Sequence, residues 1–144
     1  MLKKIFRYFK RRKIVKKVNK ALMIKLHKWQ IDFIFDGKPY SEEVKNERCN
    51  GKTTAHILRI CLKATNADIK NLLREGNDSY LYIAKSEFEK LKPFAGDDNS
   101  ANRRMVFFLY YMQDIYNMLV FDKAMKGELR DIRFSMMLEG KRLI

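Results

Sequence analysis

Apolar positions recur at helical spacing along much of the chain. Leu2, Ile5, Phe6 and Phe9 fall on one helical face, and Ile14, Val15 and Val18 resume the pattern after a basic gap. This predicts a basic amphipathic helix over 2–20, or two short ones. The helical pattern continues through 21–35, with Leu22, Leu26, Trp29 and Phe33 roughly on one side, until Gly37 and Pro39 break it. The polar stretch 36–50 reads as a loop. From Gly51 a further helix is predicted, capped by Thr53 or Thr54 and with Ile57, Leu58, Cys61 and Leu62 as its apolar face.

The second half is more broken. Thr65-x-x-Asp68 signals a short helix with Ile69, Leu72 and Leu73 inward and Gly76 at its end. Tyr80 to Ala84 is short, apolar and bounded, as a strand would be. Ser86-x-x-Glu89 is a capping box for a brief helix ending before Pro93, and 93–100 (PFAGDDNS) reads as a loop. A long helix is then expected over 101–125, apolar nearly all round, as in the centre of a bundle. In the last segment Ile132, Phe134, Met136 and Leu138 alternate like a strand, while Leu129, Ile132 and Met136 also fit a helix. The fold class expected is mainly α: a basic N-terminal arm over 1–20 and a single helical domain over 21–144, with room for a small β element.

Charge changes this picture more than composition does. The chain of 144 residues has the length of one domain and carries a net charge of +14. Residues 1–28 hold Lys3, Lys4, Arg7, Lys10, Arg11, Arg12, Lys13, Lys16, Lys17, Lys20, Lys25 and Lys28, and no Asp or Glu, which leaves +2 for all the rest. The first ten of these cations, Lys3 to Lys20, are the candidate nucleic-acid contacts. The same side chains suit an anionic membrane surface, and a terminal helix that only packs its apolar stripe on the body is the third reading. No uncharged apolar stretch follows the basic start, so secretion is not expected and a cytoplasmic location is. The longest apolar run, from Met105 to Phe121, is interrupted by Gln113, Asp114 and Asn117, which a lone spanning helix would bear at a cost. If Met23 is the functional start, the basic head drops out of the account.

One short motif carries chemistry. Arg48-Cys49-Asn50-Gly51-Lys52-Thr53-Thr54 stands at the start of a predicted helix. In a phosphate-binding loop, backbone N–H groups and a helix N-terminus surround the phosphates, a Lys reaches the outer ones, and a hydroxyl holds magnesium. With Trp29-Gln30 about twenty residues upstream, the order over 26–64 resembles the N-terminal segment of phage terminase ATPases and related helicase-like enzymes. The resemblance implies Gln30 near an adenine base, Gly51 and Lys52 on phosphate, and Thr53 on magnesium. Asn46 stands where the first loop glycine belongs, and 41–47 is polar where a buried strand should precede the loop. Met118-Leu119-Val120-Phe121-Asp122 has an acid after four apolar residues, but within the long helical pattern. The competing reading is a plain turn and helix cap.

The remaining constellations point to structure. His27, Cys49, His56 and Cys61 match no zinc spacing, and no base is identifiable for Cys49 as a nucleophile. The aromatics Phe107, Phe108, Tyr110, Tyr111, Tyr116 and Phe121 are dense enough to read as core. Asp114 is either a partnered buried acid or a solvent-facing one. The leading functional expectation is a small, basic, phage-type accessory protein, non-catalytic, that binds DNA or RNA through phosphate contacts of its N-terminal arm. The alternatives are a phage-encoded inhibitor or adaptor of a host nucleic-acid enzyme, and a degenerate P-loop protein binding a nucleotide with magnesium.

Overall fold

The computed structural model describes residues 2–47, 51–67, 73–75, 81–83, 98–132, 137–138 and 141–142, and within 98–132 the side chains of 108 and 110–132. The protein is mainly helical. Its elements are α1 (Leu2–Leu22), α2 (Lys28–Asp36), α3 (Glu42–Asn46), α4 (Lys52–Cys61), β1 (Leu73–Glu75), β2 (Leu81–Ile83), α5 (Asp98–Phe121), a 3-10 turn (Lys123–Met125), β3 (Met137–Leu138) and β4 (Lys141–Arg142). The chain divides into two compact units. One comprises Met1–Ala67 with Ile115–Leu129, the other Asp68–Asp114 with Arg130–Ile144. Residue 20, the expected limit of the arm, lies inside α1.

In the first unit Ile14, Val18 and Leu22 of α1 are buried, with Leu26 following and Ile34 and Phe35 from α2. Ala55, Ile57, Leu58, Ile60 and Cys61 from α4 join them, with Leu62, Ile115, Leu119 and Met125. α2 packs on α4, and α1 on the 3-10 turn. Leu62 and Leu129 form an antiparallel bridge, next to which the Lys63 N–H donates to the Glu128 carbonyl at 3.0 Å.

The helix expected to run on through 21–35 is interrupted. Met23 takes a left-handed φ of 55°, the Ile24 N–H donates back to the Asn19 carbonyl, and the Asn19 Oδ1 accepts from the Leu26 N–H at 3.1 Å. A side-chain amide thus supplies the stop that Gly or Pro usually signals, which hydrophobic spacing alone does not show. Within the expected loop 36–50, α3 forms on Ser41, whose Oγ accepts from the Val44 N–H at 3.3 Å, with Glu42 and Glu43 at the positive end of the helix.

The end of α2 is closed by residues from beyond it. Gly37 at φ 69° gives the left-handed cap, its N–H donating to Phe33. Arg59 Nη1 donates to the Phe33 and Ile34 carbonyls at 3.1 and 3.0 Å. The Asn66 backbone N–H reaches the Phe35 carbonyl at 3.0 Å, and its Nδ2 the Asp36 carbonyl at 2.9 Å. The last four carbonyls of the helix are therefore all satisfied, which a partly buried helix end requires.

Leu73 lies on β1, not on the expected helix. β1 pairs antiparallel with β2, with Leu73 opposite Ile83 and Glu75 opposite Leu81, so the short strand read around 80–84 is present. Cross-strand pairing overrides the local helical spacing there. β3 pairs with β4, Met137 opposite Arg142. The capping box at Ser86, the loop residues 93–97, Ile69, Leu72, Phe134 and Met136 lie outside the described residues. Residues 98–100 belong to α5, not to the preceding loop, and α5 ends at Phe121, where Asp122 accepts from the Ala124 N–H at 2.9 Å and starts the 3-10 turn. Phe108, Met112, Ile115, Tyr116 and Leu119 are buried, but Tyr111, Met118, Val120 and Phe121 are exposed, so the later part of α5 is amphipathic and not apolar all round. Asp114 faces solvent.

Candidate nucleic-acid interface

Successive residues of an α-helix turn by about 100°, so 3- and 4-residue steps trace lines along its surface. On α1 two such lines run on opposite sides. One carries Lys3, Arg7, Lys10 and Arg11 and then Ile14, Val18 and Leu22. The other carries Leu2, Ile5, Phe6 and Phe9 and then Arg12, Lys13, Lys16 and Lys20. The first line turns its apolar half into the core. The second therefore faces away along its whole length. The single amphipathic stripe expected for 2–20 is corrected in this respect: the apolar residues before and after the basic gap belong to opposite faces.

Two of the ten candidate cations are half-buried in ion pairs. Arg11 donates from Nη1 and Nη2 to the two Asp36 oxygens at 2.7 and 2.5 Å, and its guanidinium lies over the Phe35 ring. Arg11, helped by the charges of Arg59 and Arg7, holds the Asp36 carboxyl below its ordinary value against the opposing effect of burial. Lys17 Nζ lies 3.5 Å from Glu128 Oε1. Lys3, Lys4, Arg7, Lys10, Arg12, Lys13, Lys16 and Lys20 are all exposed. Arg7, Lys10 and Arg11 form one wall of an open cleft of about 420 Å³, with Phe35, Asp36, Ala64, Thr65 and Asn66 on the other sides. The negative end of α2 lies on that cleft, and cations gather naturally against it.

The turn at Gly51 is built differently from a P-loop. The segment before it contains the helix α3 where a strand would be needed. Gly51 is the N-cap of α4 at φ 87°, with no side-chain cap, so neither Thr53 nor Thr54 plays the expected capping role. Lys52 Nζ donates to the Lys45 and Glu47 carbonyls, both at 2.6 Å, and so closes the carboxyl end of α3. Gln30 and Gly51 do meet. Gln30 is 4% exposed, its Nε2 donates to the Gly51 carbonyl at 3.1 Å, and its Oε1 accepts from the His27 N–H at 2.8 Å. Arg48 and Cys49 lie outside the described residues. Asp122, the acid of the apolar run, is spent on the 3-10 turn.

Arg59, Thr65 and Asn66 have roles that no sequence pattern announces. Thr65 Oγ1 donates to the Arg59 carbonyl at 2.8 Å and so braces the segment from which Asn66 reaches α2. The spacing marks Thr65 only as the start of a helix, whereas 65–67 are not helical, and it does not single out Arg59 or Asn66. Among the described residues no three of His, Cys, Asp and Glu gather as metal ligands. His27 is exposed and Cys61 is buried in the core.

His56 sits edge-on to Phe33 (ring centroids 4.5 Å apart) and near Tyr40, whose hydroxyl is 3.2 Å from Nε2. Burial, with the charge of Arg59 adding to it, depresses its pKa to about 4. The unfolded chain takes up the proton first, at the ordinary 6.5, so the stability that the neutral ring contributes is lost as pH falls from there through 4. The loss is on the order of 1–3 kcal/mol, and urea denaturation across this range is expected to show it in the parent and a flattened profile in His56→Phe. An unchanged profile in that variant would remove His56 as the cause.

No protein-family model, characterised protein or solved structure matches the chain.

Proposed function

We propose that the protein is a non-catalytic nucleic-acid-binding protein that contacts the phosphate backbone through the outward line of α1. The observation that carries this reading is the exposed row Arg12, Lys13, Lys16 and Lys20 on a helix without a single acid. The row spans about 12 Å at 1.5 Å per residue, long enough to meet successive phosphates of one strand. Anchoring of the same helix by Ile14, Val18 and Leu22 fixes the row against the body, so little side-chain-bearing backbone must be ordered on binding. Phosphate contacts of this kind favour neither DNA nor RNA and read no sequence.

Binding of the whole protein to duplex DNA and to structured RNA across a salt series tests it. With four to six phosphates engaged, the affinity for DNA falls with a log–log slope of about −3.6 to −5.4. Binding that does not respond to salt contradicts the proposal. Failure to bind either nucleic acid contradicts it too, and leaves a host nucleic-acid enzyme as the partner to seek.

A second reading, in which the turn at Gly51 takes up a nucleotide, rests on Gln30 and Gly51 lying in contact. Lys52 would have to leave the Lys45 and Glu47 carbonyls to reach a phosphate. Thermal stabilisation by magnesium with ATP or GTP, lost in Lys52→Ala, is the result this reading requires; no shift in the parent dismisses it.

A further inference from the structure

The first half of the outward line is apolar, and phosphate contacts leave it unexplained. Leu2, Ile5, Phe6 and Phe9 are 72%, 49%, 71% and 53% exposed, so none of them is covered by the other described residues. They fall at i, i+3, i+4 and i+7 and form one continuous stripe about 10 Å long. Tyr8 stands edge-on to Phe9 at 5.7 Å and widens it. Solvent-exposed apolar side chains grouped in this way mark a surface that docks on something apolar.

Charge decides what that is. While Lys3, Arg7 and Lys10 stand on the opposite line, the stripe is continued on the same side of α1 by Arg12, Lys13, Lys16 and Lys20, all exposed. Two copies of the chain meeting through this face would bring these cations together, so a symmetric pair is opposed by its own charge. A nucleic-acid strand matches the charge and can stack on Phe6 and Phe9, but it offers nothing to Leu2 and Ile5. An anionic bilayer matches both parts: an apolar interior just beneath a layer of phosphates. Among the described residues no helix is long and apolar enough to cross a membrane, so the docking would be in the plane of the interface.

We propose that the N-terminal half of α1 is a membrane-surface anchor that inserts Leu2, Ile5, Phe6 and Phe9 among the acyl chains of an anionic bilayer while Arg12, Lys13, Lys16 and Lys20, which follow them on the same face, bind lipid phosphates. The order along the line sets the pose. The apolar half comes first and the cationic half follows on the same side, so α1 lies tilted, its amino end deeper than Lys16 and Lys20. The inference does not rest on nucleic-acid binding, which uses Arg12 to Lys20 and has no need of the apolar stripe.

Sedimentation of the whole protein with vesicles of phosphatidylcholine containing about a third phosphatidylserine tests the anchor, with pure phosphatidylcholine vesicles in parallel. The double variant Phe6→Ser, Phe9→Ser keeps the charge and alters only exposed side chains, so its circular dichroism and thermal melting match the parent. Expected are binding to the anionic vesicles, little to the neutral ones, and a loss of about a hundredfold in partitioning for the variant, whose affinity for DNA stays within about twofold. No sedimentation of the parent with anionic vesicles overturns the proposal. So does equal sedimentation of the variant, which would assign the interaction to charge alone. A concentration-dependent dimer abolished by the same variant, without vesicle binding, would assign the stripe to a second copy and overturn it as well.

Discussion

Reversing Arg12, Lys13, Lys16 and Lys20 to Glu is expected to lower the affinity for duplex DNA by about a thousandfold at 0.1 M salt. Each cation near a phosphate surface contributes about 1 kcal/mol, so loss of four removes about 4 kcal/mol, and each 1.4 kcal/mol is a factor of ten. Repulsion by the new carboxylates adds to this. The fold should not suffer, because all four side chains are exposed and the ion pairs of α1 among the described residues are those of Arg11 with Asp36 and Lys17 with Glu128. Deleting residues 1–22 is a poorer experiment, since it strips Ile14, Val18 and Leu22 from the core. A fluorescence-anisotropy titration gives the affinity, and a thermal melt matching the parent shows that the loss comes from the surface. A reversed protein that binds within about fivefold of the parent would place the contacts elsewhere.

Gly51→Ala is expected to cost about 3–5 kcal/mol of stability, a large share of the roughly 5–15 that a domain of this kind has. Two costs combine. At φ 87° an L-residue is strained by about 1–2 kcal/mol. The added Cβ would also meet Gln30 Nε2 and displace it. Gln30 is buried, and its amide serves the His27 N–H and the Gly51 carbonyl at once. Moving it leaves those groups without their partner, at about 1–3 kcal/mol for each that is left unsatisfied. Gln30→Leu, which removes the amide and keeps the bulk, should show the second cost without the first. Urea denaturation of both variants separates them. A cost below about 1 kcal/mol for Gly51→Ala would mean that the turn relaxes freely.

Much of the helical content is legible in the sequence because helices announce themselves locally. The apolar face of α4 and the long pattern of α5 rest on spacing within one element. The reversal of face on α1 is also written in the spacing. The step from Phe9 to Ile14 is five residues, half a turn away from the line of Leu2, Ile5 and Phe6, and carrying one stripe across the basic gap overlooks it. Other features depend on pairs far apart in sequence, which spacing cannot show. Arg59 reaches back 26 residues to the Phe33 carbonyl, and Asn66 reaches 30 to Asp36. The turn around Lys52 shows the same limit. A Gly-Lys-Thr sequence at the start of a helix fits a phosphate site, but the carbonyls that Lys52 meets are supplied by α3 and Glu47, and the polar stretch 36–50 conceals that helix. The excess of cations is plain in the composition. Their division into paired and exposed ones is not, because the acids of those pairs, Asp36 and Glu128, belong to other elements.

The phosphate contacts of the outward line are tested most directly by the salt dependence of DNA binding, measured side by side for the parent and for a variant with Arg12, Lys13, Lys16 and Lys20 changed to Gln. Every phosphate that a cation no longer neutralises should flatten the log–log slope by about 0.9, so the two slopes are expected to differ by about 3.6. Equal slopes would contradict the account, because they would mean that these four cations touch no phosphate.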